Sequence, residues 1–178
     1  MVNFADGMKF EVVPGILLKD NAGYWYPDAN NGGRWRTTNP FAEQQRMREV
    51  NTTTNGNLRE LCRMTRAWRR HCGVEISGLL IDTLATSFIQ TWAQRDKSYL
   101  YYDYLTRDFM LYLLGRDPKQ QHWLAPGSGQ HVFRTGKFET KASVAYQHAL
   151  NAVTYDATHR TTARREAFRE IYGNHYPR

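Results

Sequence analysis

The stretch LRELCRMTRAWRRHC, residues 58–72, predicts an amphipathic helix with two separate faces. At helical spacing one face is mostly apolar and consists of Leu58, Leu61, Cys62, Thr65, Trp68 and Cys72. A second face carries four arginines at steps of four, three and four residues, namely Arg59, Arg63, Arg66 and Arg70. The apolar face predicts packing against a core, so we expect the fold to be built around this helix.

The arginine stripe has two interpretations. A guanidinium group offers a planar fork of donors that suits phosphate, so four of them on one face favour contact with a nucleotide or RNA. The net charge of +7 also favours anionic partners. A solvated basic face explains the same pattern, and the residues alone leave both interpretations open.

Helices are predicted on both sides of this stretch. Asn39 and Pro40 are typical of a helix start, and that helix is expected to run to about Thr53. After a break at Asn55-Gly56, Asn57 is expected to cap the arginine-rich helix and Gly73 to end it.

The remainder of the chain is mainly helical in pattern. Residues 76–95 are apolar nearly all round, which predicts a buried helix, and residues 99–114 predict another. Residues 117–135 are expected to form a loop, followed by two last helices at 138–156 and about 161–172. Asp82, in the buried helix, is expected to be a hydrogen-bonded structural acid.

One strand is predicted near the start, over residues 9–18, followed by a loop with a short hairpin over 21–36. We therefore expect an α+β, mainly α fold, with one or two core strands followed by about six helices. A lone strand is not stable, so this one is expected to need a sheet that the chain does not supply.

Glu11 lies in that predicted strand between apolar residues. Its carboxylate either binds a metal ion or points out of an exposed sheet face. Metal-dependent phosphoryl transfer uses several carboxylates, yet no Asp or Glu has an acidic partner two positions away. Likewise, the rings of Tyr24, Trp25, Tyr26 and Trp35 either stack on a base or pack the first loop down.

The cysteines and the hydropathy indicate a cytoplasmic protein. Cys62 and Cys72 lie on one helix about 15 Å apart, too far for a disulfide, and are expected to be reduced and buried. No stretch approaches the ~20 apolar residues of a membrane span, and the first residues do not form a secretory signal. We expect no membrane partner.

Several motifs, in order and spacing, resemble those of the cGAS/DncV-like nucleotidyltransferases, the CD-NTases, whose animal relatives include oligoadenylate synthases. They are FEVVP (10–14), YPD (26–28), GRW (33–35), TNP (38–40), LCRMTRAWR (61–69), ISGLLIDTL (76–84), WLAPG (123–127) and IYG (171–173). The resemblance covers nearly the whole chain from about Lys9 and corresponds to the carboxy-terminal half of such an enzyme.

The resemblance implies Mg²⁺-dependent joining of ATP- or GTP-type nucleotides into cyclic di- or trinucleotides, which act as second messengers in bacterial antiviral (anti-phage) defence. Residues 1–38 would be a remnant of the nucleotidyltransferase core and residues 39–178 its helical domain. Glu11 would be the third metal-binding, catalytic carboxylate. Arg66 and Ser77 would contact the donor triphosphate. The arginine stripe adds Arg59, Arg63 and Arg70 as candidate substrate-binding residues.

The family's Gly-Ser motif and paired carboxylates precede the strand of Glu11, whereas here only ten residues do. Gly127-Ser128 lies in the wrong part of the chain to replace that motif. We therefore expect the isolated chain to be inactive, with most of the core sheet missing and an N-terminal half supplied in trans or lost by truncation. The alternatives are a non-catalytic nucleotide- or RNA-binding module or remnant, and a purely structural helical protein.

Overall fold

A computed structural model describes residues 2–3, 9–10, 12–20, 22–28, 32–157 and 160–176. The helices are α1 (Pro40–Thr53), α2 (Asn57–Cys72), α3 (Gly78–Ile89), α4 (Tyr102–Leu114), α5 (Glu139–Ala157) and α6 (Thr161–Tyr172). The strands are β1 (Val2–Asn3), β2 (Lys9–Phe10), β3 (Ile16–Leu17), β4 (Tyr24–Asp28), β5 (Arg34–Thr38), β6 (His122–Leu124) and β7 (His131–Phe133). The α+β, mainly α fold with six helices is confirmed.

The strands form three small antiparallel sheets, β1–β2, β3–β4–β5 and β6–β7. The strand predicted over residues 9–18 is wrong as a single element, because its ends lie in two different sheets as β2 and β3. Pro14, between them, has no N–H to donate to a ladder. The short hairpin expected within residues 21–36 is confirmed as β4 and β5, and its second strand, β5, continues to Thr38.

The start of α1 follows its sequence signals. Asn39 is the N-cap, and its side-chain oxygen accepts a hydrogen bond from the Ala42 N–H at 3.0 Å, while Pro40 is the first helical residue. The Asn39 side-chain amide also donates to the Ala22 carbonyl at 2.7 Å. One residue therefore caps α1 and ties it to the loop before β4.

The predicted capping of α2 is half right. Gly73 ends the helix in the left-handed conformation, with φ 60° and ψ 47°, as predicted. Asn57 is not the cap, because its amide donates instead to the carbonyls of Arg95 and Lys97 at 2.9 and 2.8 Å. The cap acceptor is Asn51, whose Oδ1 accepts from the Arg59 N–H at 2.9 Å.

The helix predicted over residues 76–95 is shorter at both ends. Ser77 is an extended N-cap whose hydroxyl accepts from the Leu80 N–H at 3.2 Å, so α3 begins at Gly78. Beyond Ile89 the chain turns, which brings the Arg95 carbonyl to Asn57. The helix is buried as predicted, with Leu80, Ile81, Leu84, Ala85 and Ile89 fully enclosed.

Two further predictions need correction. The helix expected from Tyr99 begins with a 3₁₀ turn, Tyr99–Tyr101, before α4. The loop expected over residues 117–135 contains the hairpin β6–β7, in which Trp123 pairs with Val132. Its turn contains Gly127, with φ 83°, packed closely against α1. The last two helices are confirmed as α5 and α6.

The core lies among the helices. Its largest fully buried side chains are Trp68, Phe109, Phe138 and Phe168, contributed by α2, α4, the residue before α5 and α6. Helix α5 lies against α4 and α6, while α2 packs against α3 and α6. None of the helices described is long and apolar enough to cross a membrane.

Candidate anion-binding site

A groove with a volume of about 540 Å³ lies along α1 and α2, with α3 at one end. We call it the arginine groove. It is lined by Gln44, Met47, Arg48, Asn51, Leu58, Arg59, Cys62, Arg63, Arg66 and Asp82. Four of these residues are arginines and one is an acid, so the lining is positively charged, while Met47, Leu58 and Cys62 give it an apolar part.

Arg59 and Arg63 lie on the open side of the groove. Each has a side chain about 65% exposed, and both contact the same oxygen of Glu60, at 3.2 and 3.0 Å. Exposed ion pairs of this kind contribute little free energy. Their guanidinium groups can therefore turn towards an anion in the groove at small cost.

Arg66 is held more firmly, at the end of the groove near α3. Its Nη2 lies 2.7 Å from both carboxylate oxygens of Asp82 and donates a hydrogen bond to Oδ2, and its Nη1 donates to the Cys62 carbonyl at 3.2 Å. Burial disfavours the charged guanidinium, but the hydrogen bond and charge of Asp82 outweigh it and raise the pKa of Arg66. The group is thus a fixed positive charge.

Cys62 lies beneath this pair and is only 5% exposed. Burial first, and then the neighbouring Asp82 carboxylate, raise the pKa of the Cys62 thiol well above its usual range. Cys62 is therefore a neutral, apolar part of the groove. Both cysteines are free, as predicted, although Cys72 is only half-buried.

Ser77 lies next to the groove rather than in it. Arg66 Nη2 reaches the carbonyl of the following Gly78 at 3.5 Å, which places the start of α3 beside the guanidinium. Ser77 itself lines a second cleft, of about 630 Å³, between the hairpins β4–β5 and β6–β7. The structure thus puts Arg66 and Ser77 close together, at the junction of two clefts.

The β4–β5 hairpin carries the aromatic residues for which the sequence left two roles open. Trp25 and Trp35 are 48% and 58% exposed, and their rings lie 6.5 Å apart. Tyr24 and Tyr26 are half-buried. The two tryptophans are thus available to stack on a ligand, and the two tyrosines help to pack the hairpin.

Of the other predicted site residues, Arg70 does not line the groove and Glu11 cannot be placed. Arg70 is exposed on α2 and does not line it. Glu11, expected to be the catalytic and metal-binding carboxylate, lies outside the residues that the structure describes. Within the described residues no group of three or more His, Cys, Asp or Glu side chains could hold a metal ion. The described residues alone therefore do not form a magnesium site.

Sequence reasoning missed the contribution of α1. Gln44, Met47, Arg48 and Asn51 all line the groove. Their spacing of three, one and three residues places them on one face of a helix, which is the signal that would have found them. Arg48 adds a fourth guanidinium, from the opposite wall, to those of α2.

Comparisons with known proteins bear on this arrangement. The model of the Second Messenger Oligonucleotide or Dinucleotide Synthetase domain family matches residues 1–51. A probable cyclic nucleotide synthase of Bacillus cereus (strain VD146) is 22% identical over 182 aligned residues, which cover 94% of this chain. The chain spans about half of that relative, 51% of its length. Together the two matches support a CD-NTase-like assignment, because the chain is similar to the second-messenger oligonucleotide or dinucleotide synthetases.

Proposed function

We propose that the arginine groove binds the triphosphate of a nucleoside triphosphate, and that this chain forms part of a Mg²⁺-dependent nucleotidyltransferase. The products would be cyclic di- or trinucleotide second messengers used in bacterial anti-phage defence. The observation that carries the proposal is the convergence of Arg48, Arg59, Arg63 and Arg66, from two helices, on one groove.

Charge and shape support a nucleotide as the ligand. Arginine forks match phosphate oxygens, and several of them spread along a groove match a chain of phosphates. The apolar part of the lining, at Met47 and Leu58, suits a ribose or base beside the phosphates. A volume of about 540 Å³ is in the usual range for a small-ligand site.

The proposed role of these residues is positioning and electrostatic. Phosphoryl transfer gains most from holding the phosphates in line and from neutralising the charge that develops on them. Arg66, fixed by Asp82, would provide a rigid positive charge, while Arg59 and Arg63 would close on the ligand. Magnesium, the paired carboxylates and the Gly-Ser loop would be associated with residues outside those described, in the whole protein or in a partner half.

A binding experiment tests the groove. The probe is ATP, with GTP in parallel, titrated into the full chain by calorimetry. We expect Arg63→Gln to weaken binding at least about fivefold, roughly 1 kcal/mol, because one charge-assisted contact is lost. Arg69→Gln is the matched control, since Arg69 is exposed on the same helix but does not line the groove.

Equal affinities of the Arg63→Gln and Arg69→Gln variants would contradict the assignment of the groove. Arg63→Gln should weaken the binding of tripolyphosphate, which has no base, by a similar factor, because the proposed contacts are to phosphate. The affinity should also fall with added salt, since exposed charges are screened over about 8–10 Å.

The catalytic part of the proposal needs a separate test. The chain, combined with an N-terminal half carrying a Gly-Ser loop and paired carboxylates, should form cyclic nucleotides from triphosphates only with Mg²⁺. Arg63→Gln should reduce the rate and Arg69→Gln should not. If ATP binds in the groove but no product forms with such a half, the chain is a nucleotide-binding module and not part of a synthase.

One observation favours RNA as a second candidate ligand. Trp25 and Trp35 are exposed on the β4–β5 hairpin, which also carries Arg34 and Arg36. Exposed rings with nearby cations are typical of single-stranded nucleic-acid binding. Salt-sensitive binding of a single-stranded RNA that is lost in Trp35→Ala, but kept in Arg63→Gln, would support this alternative.

A further inference from the structure

We infer that the chain has a second small-molecule site, separate from the arginine groove, which takes a planar aromatic compound bearing an anionic group. The site is a pocket of about 540 Å³ between α2, α4 and α6. We call it the tyrosine pocket, after Tyr99, Tyr102, Tyr172 and Tyr176 in its lining. The proposed nucleotide function does not use these residues.

The tyrosine pocket and the arginine groove use different faces of α2. Arg59, Cys62 and Arg63 line the groove, whereas Met64 and Ala67 line the pocket. With 100° per residue, these two sets point on average about 120° apart around the helix axis, so they lie on different sides of the helix. A ligand in the pocket therefore does not compete directly with one in the groove.

One wall of the pocket is a row of aromatic rings. Phe168 and Tyr172 are stacked with an angle of 16° between their planes, and Tyr176 is stacked on Phe168 with ring centres 5.1 Å apart. On the α4 side Tyr99 is 72% exposed at the pocket edge. Flat rings arranged in this way, with one exposed at the pocket edge, suit a planar aromatic ligand.

The polar groups of the pocket favour an anion over a cation. Arg164 and Asp103 form an ion pair, with Nε donating to Oδ2 at 2.7 Å, so the acid in the lining has a cationic partner. Arg164 Nε also lies 3.4 Å from the exposed Asp156, which is outside the lining. Arg165 is exposed, lines the pocket and makes no ion pair or hydrogen bond among the residues described. His175 is exposed beside it. The residues that line the pocket thus carry one more positive than negative charge, which favours a carboxylate or phosphate on the ligand.

The ion pair also limits which charge a bound ligand can carry. Arg164 lies over the Phe168 ring at 5.9 Å and so occupies the position where a cationic ligand would contact that ring. A cation would also face Arg165 directly. A neutral aromatic compound would gain the ring contacts only. The chemistry therefore points to a compound with both a ring and a negative charge.

The experiment uses 1-naphthyl phosphate as the probe and the full chain, with binding measured by NMR titration. The comparison compounds are 1-naphthol, which lacks the charge, and inorganic phosphate, which lacks the ring. We expect the probe to bind at least about fivefold more tightly than either, since each part adds roughly 1 kcal/mol. Arg165→Gln should lower the affinity for the probe to about that for 1-naphthol, and it should leave the affinity for 1-naphthol unchanged.

Matched variants locate the binding. Tyr99→Ala should lower the affinity for the probe and for 1-naphthol alike. Tyr99 is exposed, so this change should not affect folding. Arg169→Gln, on α6 but outside the pocket, should change nothing. The inference is overturned if the probe loses affinity in Arg63→Gln but not in Arg165→Gln, because it would then bind in the arginine groove. It is also overturned if 1-naphthol or inorganic phosphate binds as tightly as the probe.

Discussion

Nη2 of Arg66 lies 2.7 Å from both carboxylate oxygens of Asp82, and this contact joins α2 to α3. The Asp82 side chain is 17% exposed and that of Arg66 is 40% exposed. The pair therefore does two things. It fixes the start of α3 against the arginine-rich helix, and it holds one guanidinium in place at the end of the arginine groove.

Breaking this pair should destabilise the fold. We expect Asp82→Ala to lower the free energy of unfolding by about 1–3 kcal/mol, less than for a fully buried pair because Arg66 is partly in water. The double variant with Arg66→Ala should show a coupling of about 1 kcal/mol. Urea denaturation of the four proteins measures both values.

The exposed pair of Arg63 and Glu60 is the matched control for this cycle. A double-mutant cycle with Arg63→Ala and Glu60→Ala should give a coupling energy below about 0.5 kcal/mol, because these helix-surface charges are screened by water. Equal couplings for the two pairs would show that Asp82 does not hold Arg66 in the folded protein.

Local signals predicted some helix ends correctly, and the wrong ones depend on contacts with distant residues. Asn39 and Gly73 were predicted because a cap depends on its own residue and on a few neighbours. Asn57 was predicted wrongly because its amide binds the carbonyls of Arg95 and Lys97, some forty residues away. No local pattern can show that a distant turn returns to this side chain.

The candidate site was predicted in part for the same reason. The spacing of Arg59, Arg63 and Arg66 predicted that they lie on one face of a helix, because helical periodicity depends only on nearby residues. The partner wall on α1, with Arg48, depends on how two helices pack. The short strands were the hardest elements, because β2 and β3 are two residues each and their pairing is set by partners elsewhere in the chain.

Gly127 should be essential to the turn between β6 and β7. Its φ is 83°, and a Cβ atom there would overlap the Ala42 carbonyl, with its carbon only 2.7 Å away. We expect Gly127→Ala to lower the free energy of unfolding by about 3 kcal/mol, from backbone strain and from displacement of α1. Thermal denaturation measures the loss.

Gly129 offers the control in the same turn. It also has a positive φ, 66°, but a Cβ atom there would meet nothing within 4 Å. Gly129→Ala should therefore lower the free energy of unfolding by about 1 kcal/mol, which is the cost of a side chain at positive φ alone. If the two variants were equally stable, the turn would not pack against α1 as described.

Asn39 should stabilise both α1 and the loop before β4. Asn39→Ala removes the cap of α1 and the hydrogen bond to the Ala22 carbonyl, and should lower the free energy of unfolding by about 2 kcal/mol. Asn39→Asp keeps the cap acceptor and loses only the donor to Ala22, so about half of that loss is expected. Chemical denaturation of the two variants separates the contributions. No loss in Asn39→Asp would mean that the contact with Ala22 adds nothing, and equal losses would mean that the cap adds nothing.

The two thiols should differ in reactivity. Burial raises the pKa of both Cys62 and Cys72, but Cys62 is almost fully enclosed and has the Asp82 carboxylate beside it. At pH 8 we expect iodoacetamide to modify Cys72 first and Cys62 only as the protein opens, because the thiolate is the reactive form. Mass spectrometry of the labelled peptides measures the two rates.

The same raised pKa values predict how stability depends on pH. An unfolded thiol ionises near pH 8.5, whereas the folded thiols stay protonated, so the folded state holds more protons above that pH. The free energy of unfolding should therefore fall as the pH rises from about 8.5 to 9.5, before the tyrosines titrate. Cys62→Ala should make this fall smaller, by removing the more deeply buried of the two groups. An unchanged pH dependence in that variant would mean that Cys62 ionises as easily in the folded protein as in the unfolded chain.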